Sequence, residues 1–305
     1  MQNTNCIVVL GPTASGKTRL ACDIAFHLNA EIISLDSRQV YKGLDIGTGK
    51  DFREYFVQGK QIPYHLIDVC EPTQQFYLHD FIRELRISFE NIVQNEKIPI
   101  LCGGTGLYLD ALRKDFSFTQ IPEDHNFRER SEEFSKEELL KQLEELPEVF
   151  RAHVDTTSRK RLVRGIEVGR YLSKNKLTPS SPTEIYKPIY LGIKTDTDTI
   201  RKKIRGRLLL RMENGLIEEA ESLLQKGLSH HRMQELGLEY KYLSFYLQNK
   251  ITMTELTEQL YTAICHYAKR QMTWFRKMER EGVYIHWVDA AAKAEDLISK
   301  FELKP

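Results

Sequence analysis

The sequence has almost no net charge, so it lacks the plainest sign of a protein that binds nucleic acid. Its 305 residues include 44 lysines and arginines against 43 aspartates and glutamates, a formal net charge of +1. A neutral total does not exclude such a partner, because a local basic surface is enough to hold phosphates. The total charge therefore excludes no function, and only the placement of the basic residues can indicate a polyanionic partner.

Closely spaced cysteines and long apolar runs are also missing. The five cysteines lie far apart, without any C-x-x-C pair: Cys6, Cys22, Cys70, Cys102 and Cys265. A disulfide framework or a structural zinc site needs tighter grouping, so we expect free thiols in a reducing compartment. The apolar run near the N-terminus is too short for a signal peptide or a membrane span. We expect a soluble, cytoplasmic protein with no membrane partner.

Short apolar runs alternate with helical patterns through much of the chain. Strands are predicted at residues 7–10, 31–35, 64–69, 98–102, 189–194 and 283–288. Helices are predicted at residues 17–28, 76–95, 197–226 and 253–281. Strands that alternate with helices are typical of a parallel α/β sheet, here built from both ends of the chain.

The middle of the chain has a different composition. Residues 123–176 are charged and poor in strand formers, with helical patterns such as residues 137–146. Residues 176–188 are rich in proline, serine and threonine, which indicates a connection. We therefore predict a core formed by residues 1–118 and 186–305, and a mainly helical insertion domain at residues 119–185.

The most specific motif is a complete G-x-x-x-x-G-K-T between a predicted strand and a predicted helix. Its residues are Gly11, Pro12, Thr13, Ala14, Ser15, Gly16, Lys17 and Thr18. The glycines let backbone N–H groups point at phosphate oxygens, and the helix N-terminus adds partial positive charge. Lys17 supplies a mobile charge, and the Thr18 hydroxyl can ligate Mg²⁺. The motif predicts a P-loop NTPase-like core that binds a polyphosphate with magnesium.

Two further polar turns follow predicted strands, at the edge where ligands of open α/β sheets bind. Asp36 ends the second strand, and its carboxylate can accept a proton or ligate a metal through water, or it can cap the next helix. The residues alone leave these two interpretations open. The glycine-rich turn at residues 103–106 lets a ligand approach the backbone and offers the Thr105 hydroxyl. Asp68 is a weaker candidate for a second metal-binding carboxylate.

Together these stretches resemble the tRNA dimethylallyltransferase family, also called the tRNA isopentenyltransferases. The resemblance runs from Gly11 to about Asp289 through GPTASGKT, SLDSRQVYKGLDIGTGK, LCGGTGLYLDAL, GLIEEAESLLQKGL, LGLEYKYL and YAKRQMTWFRK. Its most specific part is the combination of the P-loop with DSRQVY and AKRQ-TWFR. Eukaryotic members often carry a C-terminal zinc finger, and the lack of its Cys/His pairs favours a bacterial-type enzyme.

The resemblance implies transfer of a dimethylallyl group from dimethylallyl diphosphate to N6 of the adenosine on the 3′ side of the anticodon. Asp36 is then the expected general base, and Thr105 is expected to orient the flipped-out adenine. Lys17, Arg207 and Mg²⁺ would stabilise the charge that develops on the leaving diphosphate. We expect the chain to act as a monomer on a tRNA anticodon stem-loop.

The resemblance also implies a set of tRNA contacts. They are Asp36, Ser37, Arg38, Gln39, Thr105, Arg128, Lys160, Arg161, Leu162, Val163, Arg164, Gln234, Gly237 and Lys241. Basic stretches at residues 159–170, 201–211 and 266–280 agree with an RNA partner, although single basic residues are often only solvated surface. The chain departs from the family in a shorter run before Arg161 and in having Arg211 where an apolar residue is common.

Three other functions stay open from the residues. An adenylate dimethylallyltransferase shares the P-loop and the base but acts on free AMP, ADP or ATP; the helical insertion and the basic, aromatic C-terminal helix favour RNA instead. A P-loop small-molecule kinase would need a clearer second metal carboxylate and an arginine-bearing lid. A non-catalytic RNA-binding protein would not need Lys17, Thr18 and Asp36 together. We therefore expect a tRNA prenyltransferase.

Overall fold

The larger part of the chain is built around a parallel sheet of six strands. The computed structural model describes residues 4–177, 179 and 181–303. The strands in these ranges are β1 (Cys6–Leu10), β2 (Glu31–Leu35), β3 (Phe56–Val57), β4 (Lys60–Gln61), β5 (Tyr64–His65), β6 (Pro99–Gly103), β7 (Pro188–Lys194) and β8 (Ile285–Asp289). The sheet order is β5-β2-β6-β1-β7-β8 with every neighbouring pair parallel, whereas β3 and β4 form an antiparallel hairpin.

Helices follow most of the strands. The α-helices of the described ranges are α1 (Lys17–Leu28), α2 (Leu78–Gln94), α3 (Gly106–Asp110), α4 (His125–Ser131), α5 (Lys136–Glu144), α6 (Glu148–Arg151), α7 (Arg159–Leu172), α8 (Pro182–Ile185), α9 (Thr197–Glu213), α10 (Leu216–Gln225), α11 (His230–Glu235), α12 (Leu238–Leu247), α13 (Met253–Arg280) and α14 (Ala294–Lys300). Two 3₁₀ turns lie at Phe52–Tyr55 and Ser117–Gln120. The predicted parallel α/β class is confirmed.

The chain divides into two compact units. The first contains the chain up to Leu112 and again from Thr183, and the second is Arg113–Pro182. The assignment of the second unit to tRNA contact stays a prediction. Within the described residues, no helix combines the length and the apolar character needed to cross a membrane.

The inner strands β1 and β6 of the sheet are buried on both faces. All five residues of β1 are buried, and Ile7 lies opposite Ile100 of β6 and Ile189 of β7. Continuous apolar runs of this kind are expected where helices cover both faces of a parallel sheet. Helix α1 contributes Leu20 and Ile24 to the same core. The P-loop therefore leaves the sheet from its centre.

The third predicted strand is much shorter than its apolar run indicates. The run covers residues 64–69, but β5 ends at His65 because Leu66 and Asp68 have positive φ angles of 61° and 57°. The Asp68 carboxylate then pairs with the buried ammonium group of Lys50, whose Nζ also donates to the Asp45 carboxylate at 2.9 Å. Asp68 is thus paired with a lysine and does not stand at a strand end, contrary to the predicted strand, while its role as a second metal carboxylate stays a prediction.

The helix predicted at residues 197–226 is two helices. It breaks between α9 and α10 at Asn214 and Gly215, where Gly215 has a φ of 97°. Only glycine adopts this left-handed conformation without a steric cost, so Gly215 marks the break between the helices. The apolar periodicity of the sequence continues across this break and therefore did not indicate it. The connection predicted at residues 176–188 includes α8, and its residues 178 and 180 lie outside the described ranges.

Glu219 of α10 fixes the loop that follows the DSRQVY segment. Its carboxylate accepts hydrogen bonds from the backbone N–H groups of Asp45 at 2.8 Å, Ile46 at 2.7 Å and Gly47 at 3.0 Å. It also accepts the hydroxyl of the fully buried Tyr240 at 2.7 Å. A single carboxylate therefore satisfies three backbone donors of one loop, each of which needs a partner when it is removed from water.

The second unit has a small core of its own. The buried residues are Phe127, Leu139, Leu143, Leu162, Val163 and Ile166, from α4, α5 and α7. Helix α5 begins with a capping box, in which Ser135 and Glu138 exchange side-chain to backbone hydrogen bonds at 3.2 and 2.7 Å. The charged sequence thus forms helices that bury one apolar stripe each.

Replacing Glu219 by alanine is expected to lower the free energy of unfolding by about 3 kcal/mol, because buried donors lose a charged acceptor. Denaturant unfolding measures the loss. Glu221, which is exposed on the same helix, provides the control, and Glu221→Ala is expected to change stability by less than about 0.5 kcal/mol. Equal losses in the two variants would show that the Glu219 carboxylate does not hold the loop.

Candidate active site

A deep cleft opens at the carboxyl ends of β1, β2 and β6, within the first unit. Its volume is about 1210 Å³, and it is lined by the P-loop, by residues 36–39 after β2 and by residues 102–106 after β6. The loop at residues 45–55 and parts of α9, α12 and α13 complete the walls. Motifs that lie far apart in the sequence therefore meet in one cavity, as the strand order of a parallel sheet requires.

The P-loop has the backbone conformation that its glycines permit. Gly16 has a φ of 89° and directly precedes α1, while Ala14 has a φ of 62°. A Cβ atom at Gly11 would lie 2.6 Å from the Oγ atom of Ser15, so a larger residue there would displace the loop. Since the first N–H groups of a helix have no partner within the helix, the start of α1 offers donors to an anion in the cleft.

Two cationic side chains face this loop in a largely desolvated setting. Burial lowers the pKa of Lys17, and burial together with the neighbouring charge of Arg211 lowers the pKa of Arg207 to about 10. The Arg207 guanidinium donates a hydrogen bond to the Thr13 hydroxyl of the P-loop. Desolvated cations of the same sign are costly unless an anion accompanies them, so the site is suited to a polyanion.

The predicted metal ligand, Thr18, lies beside a carboxylate that the sequence did not single out. Burial raises the pKa of the Glu54 carboxyl of the 3₁₀ turn and of the Cys102 thiol, and the nearby Thr18 hydroxyl acts on both pKa values in the opposite direction. The described residues contain no group of three or more His, Cys, Asp or Glu side chains arranged to hold a metal. This donor set fits Mg²⁺, which typically takes few protein ligands and fills its shell with phosphate oxygens and water.

Asp36 and Thr105 belong to the turns after β2 and β6, and these two turns are hydrogen-bonded together. The Thr105 hydroxyl accepts the backbone N–H of Ser37 at 3.2 Å and lies beside Tyr267 of α13, a tyrosine whose pKa is raised by burial. The Oδ1 atom of Asp36 accepts the backbone N–H of Arg38 at 2.8 Å. Asp36 therefore caps the following turn and also lines the cleft, so the two interpretations of this carboxylate do not exclude each other.

Eight of the predicted tRNA contacts line this cleft. They are Asp36, Ser37, Arg38, Gln39, Thr105, Gln234, Gly237 and Lys241. Two of the amides among them also serve the fold, because Gln39 donates to the carbonyl of Gly49 at 3.3 Å and Gln234 donates to the hydroxyl of Ser244 at 3.1 Å. Arg211, the departure from the family pattern, donates to the carbonyl of Gly47 at 3.3 Å and thus supports the cleft wall.

The other predicted tRNA contacts belong to the second unit and differ in exposure. Lys160 and Arg161 are exposed, with Arg161 paired to Asp155 at 2.5 Å. Leu162 is fully buried and Val163 nearly so, which removes their side chains from any outer surface. Because α7 is amphipathic, consecutive residues of a basic motif alternate between solvent and core, and an RNA role for these two side chains is not supported.

Arg128 and Arg164 are engaged inside the second unit. The buried Glu167 carboxylate accepts from Arg128 at 2.7 and 2.9 Å and from Arg164 at 3.2 Å. The bonds to Glu167 and Glu123 raise the pKa of Arg128. Arg164 also donates to the carbonyl of Ile121 at 2.6 Å. Both arginines therefore stabilise this unit, and their predicted contact with RNA would be an additional role.

Gln271 of α13 is a site residue that sequence reasoning missed. It is buried, and its amide contacts both the P-loop and the turn after β6. In the sequence, Gln271 stands out only as part of the AKRQ motif, which supports the family resemblance. That motif does not indicate a contact with the P-loop or with the turn after β6. Glu54 had no signal, because it follows a loop that no periodicity places near the P-loop.

Comparisons with known proteins identify the family of the chain. The family model described as IPP transferase matches residues 39–278, and the model described as isopentenyl transferase matches residues 4–68. A tRNA dimethylallyltransferase 2 of Bacteroides fragilis is 42% identical over 299 residues, which cover 98% of this chain and 97% of that protein. A protein of the same name from Shewanella sediminis is 44% identical over 294 residues, which cover 95% of each chain.

Solved structures give the same result. A tRNA isopentenylpyrophosphate transferase of Bacillus halodurans is 30% identical with a TM-score of 0.69, over 98% of this chain and 94% of that one. A eukaryotic dimethylallyltransferase, solved acting on tRNA, is 21% identical with a TM-score of 0.80, over 99% of this chain and 81% of that one, and shows the shared fold. The family model matches most of the chain and relatives at more than 40% identity cover nearly all of it, so the chain belongs to the IPP transferase family.

Proposed function

We propose that this chain transfers the dimethylallyl group of dimethylallyl diphosphate to N6 of the adenosine on the 3′ side of the anticodon in tRNA. The observation that carries the proposal is one cleft with a P-loop and two desolvated cations on one wall, and Asp36 with Thr105 on another. The names of the relatives from Bacteroides fragilis and Shewanella sediminis support the same reaction.

The donor is held by its diphosphate. The free N–H groups at the start of α1, together with Lys17 and Arg207, surround the position where the leaving group gains charge as its carbon–oxygen bond breaks. Stabilisation of that charge lowers the barrier, because the cations are already placed and need no reorganisation. Mg²⁺, held by Thr18 and the diphosphate oxygens, would supply further positive charge to the leaving group.

The acceptor is an exocyclic amine, which must lose a proton as it forms the new bond. The nitrogen electron pair attacks the allylic carbon, diphosphate leaves, and the N6 proton passes to the Asp36 carboxylate. Thr105 and Tyr267, which lie beside each other in the cleft, offer two hydroxyl groups that can orient the adenine edge. An adenosine inside the anticodon loop reaches such a cleft only when it is turned out of its stack.

We infer that the chain works as a monomer in the cytoplasm, with residues 119–185 as the tRNA-contacting insertion. The exposed Lys160 and Arg161 of α7 support an electrostatic role for this segment.

Transfer of labelled dimethylallyl diphosphate in the presence of Mg²⁺ tests the function. An unmodified anticodon stem-loop, AMP and ATP are supplied as acceptors in parallel reactions. We expect label in the stem-loop alone. Label in AMP or ATP would identify an adenylate dimethylallyltransferase, and consumption of ATP with no prenyl transfer would identify a kinase.

Replacing Asp36 by asparagine is expected to lower kcat by about 10²- to 10⁴-fold, because the amide cannot accept the N6 proton. Asparagine can still accept the Arg38 N–H bond, so stem-loop affinity is expected to stay near the wild-type value. Asp51→Asn is the matched control, since Asp51 lines the same cleft. Unchanged turnover in Asp36→Asn would remove this carboxylate as the base.

Replacing both Lys160 and Arg161 by alanine is expected to weaken stem-loop binding and to reduce its salt dependence. The slope of log K against log salt becomes shallower by about 0.7 to 0.9 for each phosphate that the variant no longer neutralises. The control is the double variant Lys136→Ala with Lys174→Ala, two exposed lysines of the same unit. Arg164 is left intact, because its bonds to Glu167 and Ile121 support the fold. An unaltered slope would make α7 ordinary solvated surface.

A further inference from the structure

Gln271 joins the two halves of the cleft with one side chain. Its Oε1 atom accepts the backbone N–H of Thr13 in the P-loop at 2.8 Å, and its Nε2 atom donates to the carbonyl of Gly104 at 3.0 Å. The residue is only 5% exposed. A neutral amide is the side chain that offers an acceptor and a donor at adjacent positions, so its chemistry matches both partners.

The two turns that Gln271 joins are also in close approach. A Cβ atom at Gly104 would lie 2.2 Å from Nε2 of Gln271 and 2.9 Å from the carbonyl oxygen of Gly11. Because close-packed interiors transmit displacement, a change in the amide contact shifts one turn against the other.

Helix α13 contacts the turn after β6 through three of its side chains. Tyr267 lies beside Thr105, Gln271 donates to the carbonyl of Gly104, and a Cβ atom at Gly106 would lie 2.3 Å from the ring of Trp274. Their spacing of four and three residues places these side chains on one face of the helix. Gln271 also contacts the P-loop, so side chains of one helix hold both turns in position relative to each other.

We propose that Gln271 is a positioning residue that sets the P-loop, and with it the allylic carbon of the donor, against the turn that carries Thr105 and faces the adenine. This inference rests on the proposed prenyl transfer. Each turn can still bind its own ligand without the amide, so the cost falls on the alignment of the two reacting atoms. Misplacement by about 1 Å can cost about 10²-fold in rate.

Replacing Gln271 by methionine keeps the length of the side chain and removes both hydrogen bonds. We expect kcat to fall by about 10²-fold, while the KM for each substrate and the Kd for inorganic diphosphate stay within a few-fold of wild type. Gln259→Met, on an exposed turn of the same helix, is the control and is expected to leave all of these constants unchanged.

Replacing Gln271 by glutamate adds a readout that a merely structural role would not produce. The carboxylate still accepts the Thr13 N–H, but its second oxygen faces the Gly104 carbonyl without a proton, so activity is low at neutral pH. Protonation restores a donor, and burial raises the pKa of such a carboxyl, so the neutral form returns as the pH falls. The ratio of variant to wild-type kcat is therefore expected to rise toward acidic pH.

The ratio removes the pH dependence that the variant shares with the wild-type protein. The charged residues of the cleft, which include Lys17 of α1, Asp36 after β2, Arg207 of α9 and Arg270 of α13, are common to both proteins. Rescue toward acidic pH with unchanged diphosphate affinity supports the inference. A normal kcat in Gln271→Met, or a fall in kcat that follows a fall in diphosphate affinity, would refute it. Wild-type protein that transfers no prenyl group would refute the proposed function as well.

Discussion

The close approach of two turns at the carboxyl edge of the sheet is the constraint on which the site depends. Strands β1 and β6 are parallel neighbours in register, so the P-loop and the turn after β6 leave the sheet side by side. A Cβ atom at Gly103 would lie 2.4 Å from the carbonyl oxygen of Leu35, and one at Gly104 would meet Gly11 at 2.9 Å. Glycine at these positions therefore permits both sheet packing and a common cleft.

Charge is used differently in the two units. In the cleft, burial lowers the pKa values of Lys17 and Arg207. The nearby carboxylates of Asp36 and Glu54 act in the opposite direction but do not offset the effect of burial. In the second unit, the buried Glu167 is bonded to Arg128 and Arg164. The first arrangement is suited to a polyanionic ligand, whereas the second already stabilises its own fold.

The parallel class and the conformation of the P-loop could be predicted from the sequence, because both depend on local signals. Alternation of apolar runs with helical patterns identified the sheet, and the glycines of the P-loop permit the left-handed turn that it requires. The predicted bounds were wrong where an apolar or helical pattern in the sequence continued across a turn or a helix break. The apolar run from residue 64 crosses a left-handed turn at Leu66, and the helical pattern from residue 197 crosses the break at Gly215.

The sequence by itself determined the strand–loop–helix unit of the P-loop, because the residues from Gly11 to Thr18 form a turn whose geometry depends on their own order in the chain. Only the tertiary structure decided which distant side chains complete the cleft. Glu54 reaches Thr18 from a separate 3₁₀ turn, and Gln271 reaches Thr13 across 258 residues, a separation that no periodicity encodes. Such contacts depend on how whole helices pack, and packing responds to shape and volume summed over the core.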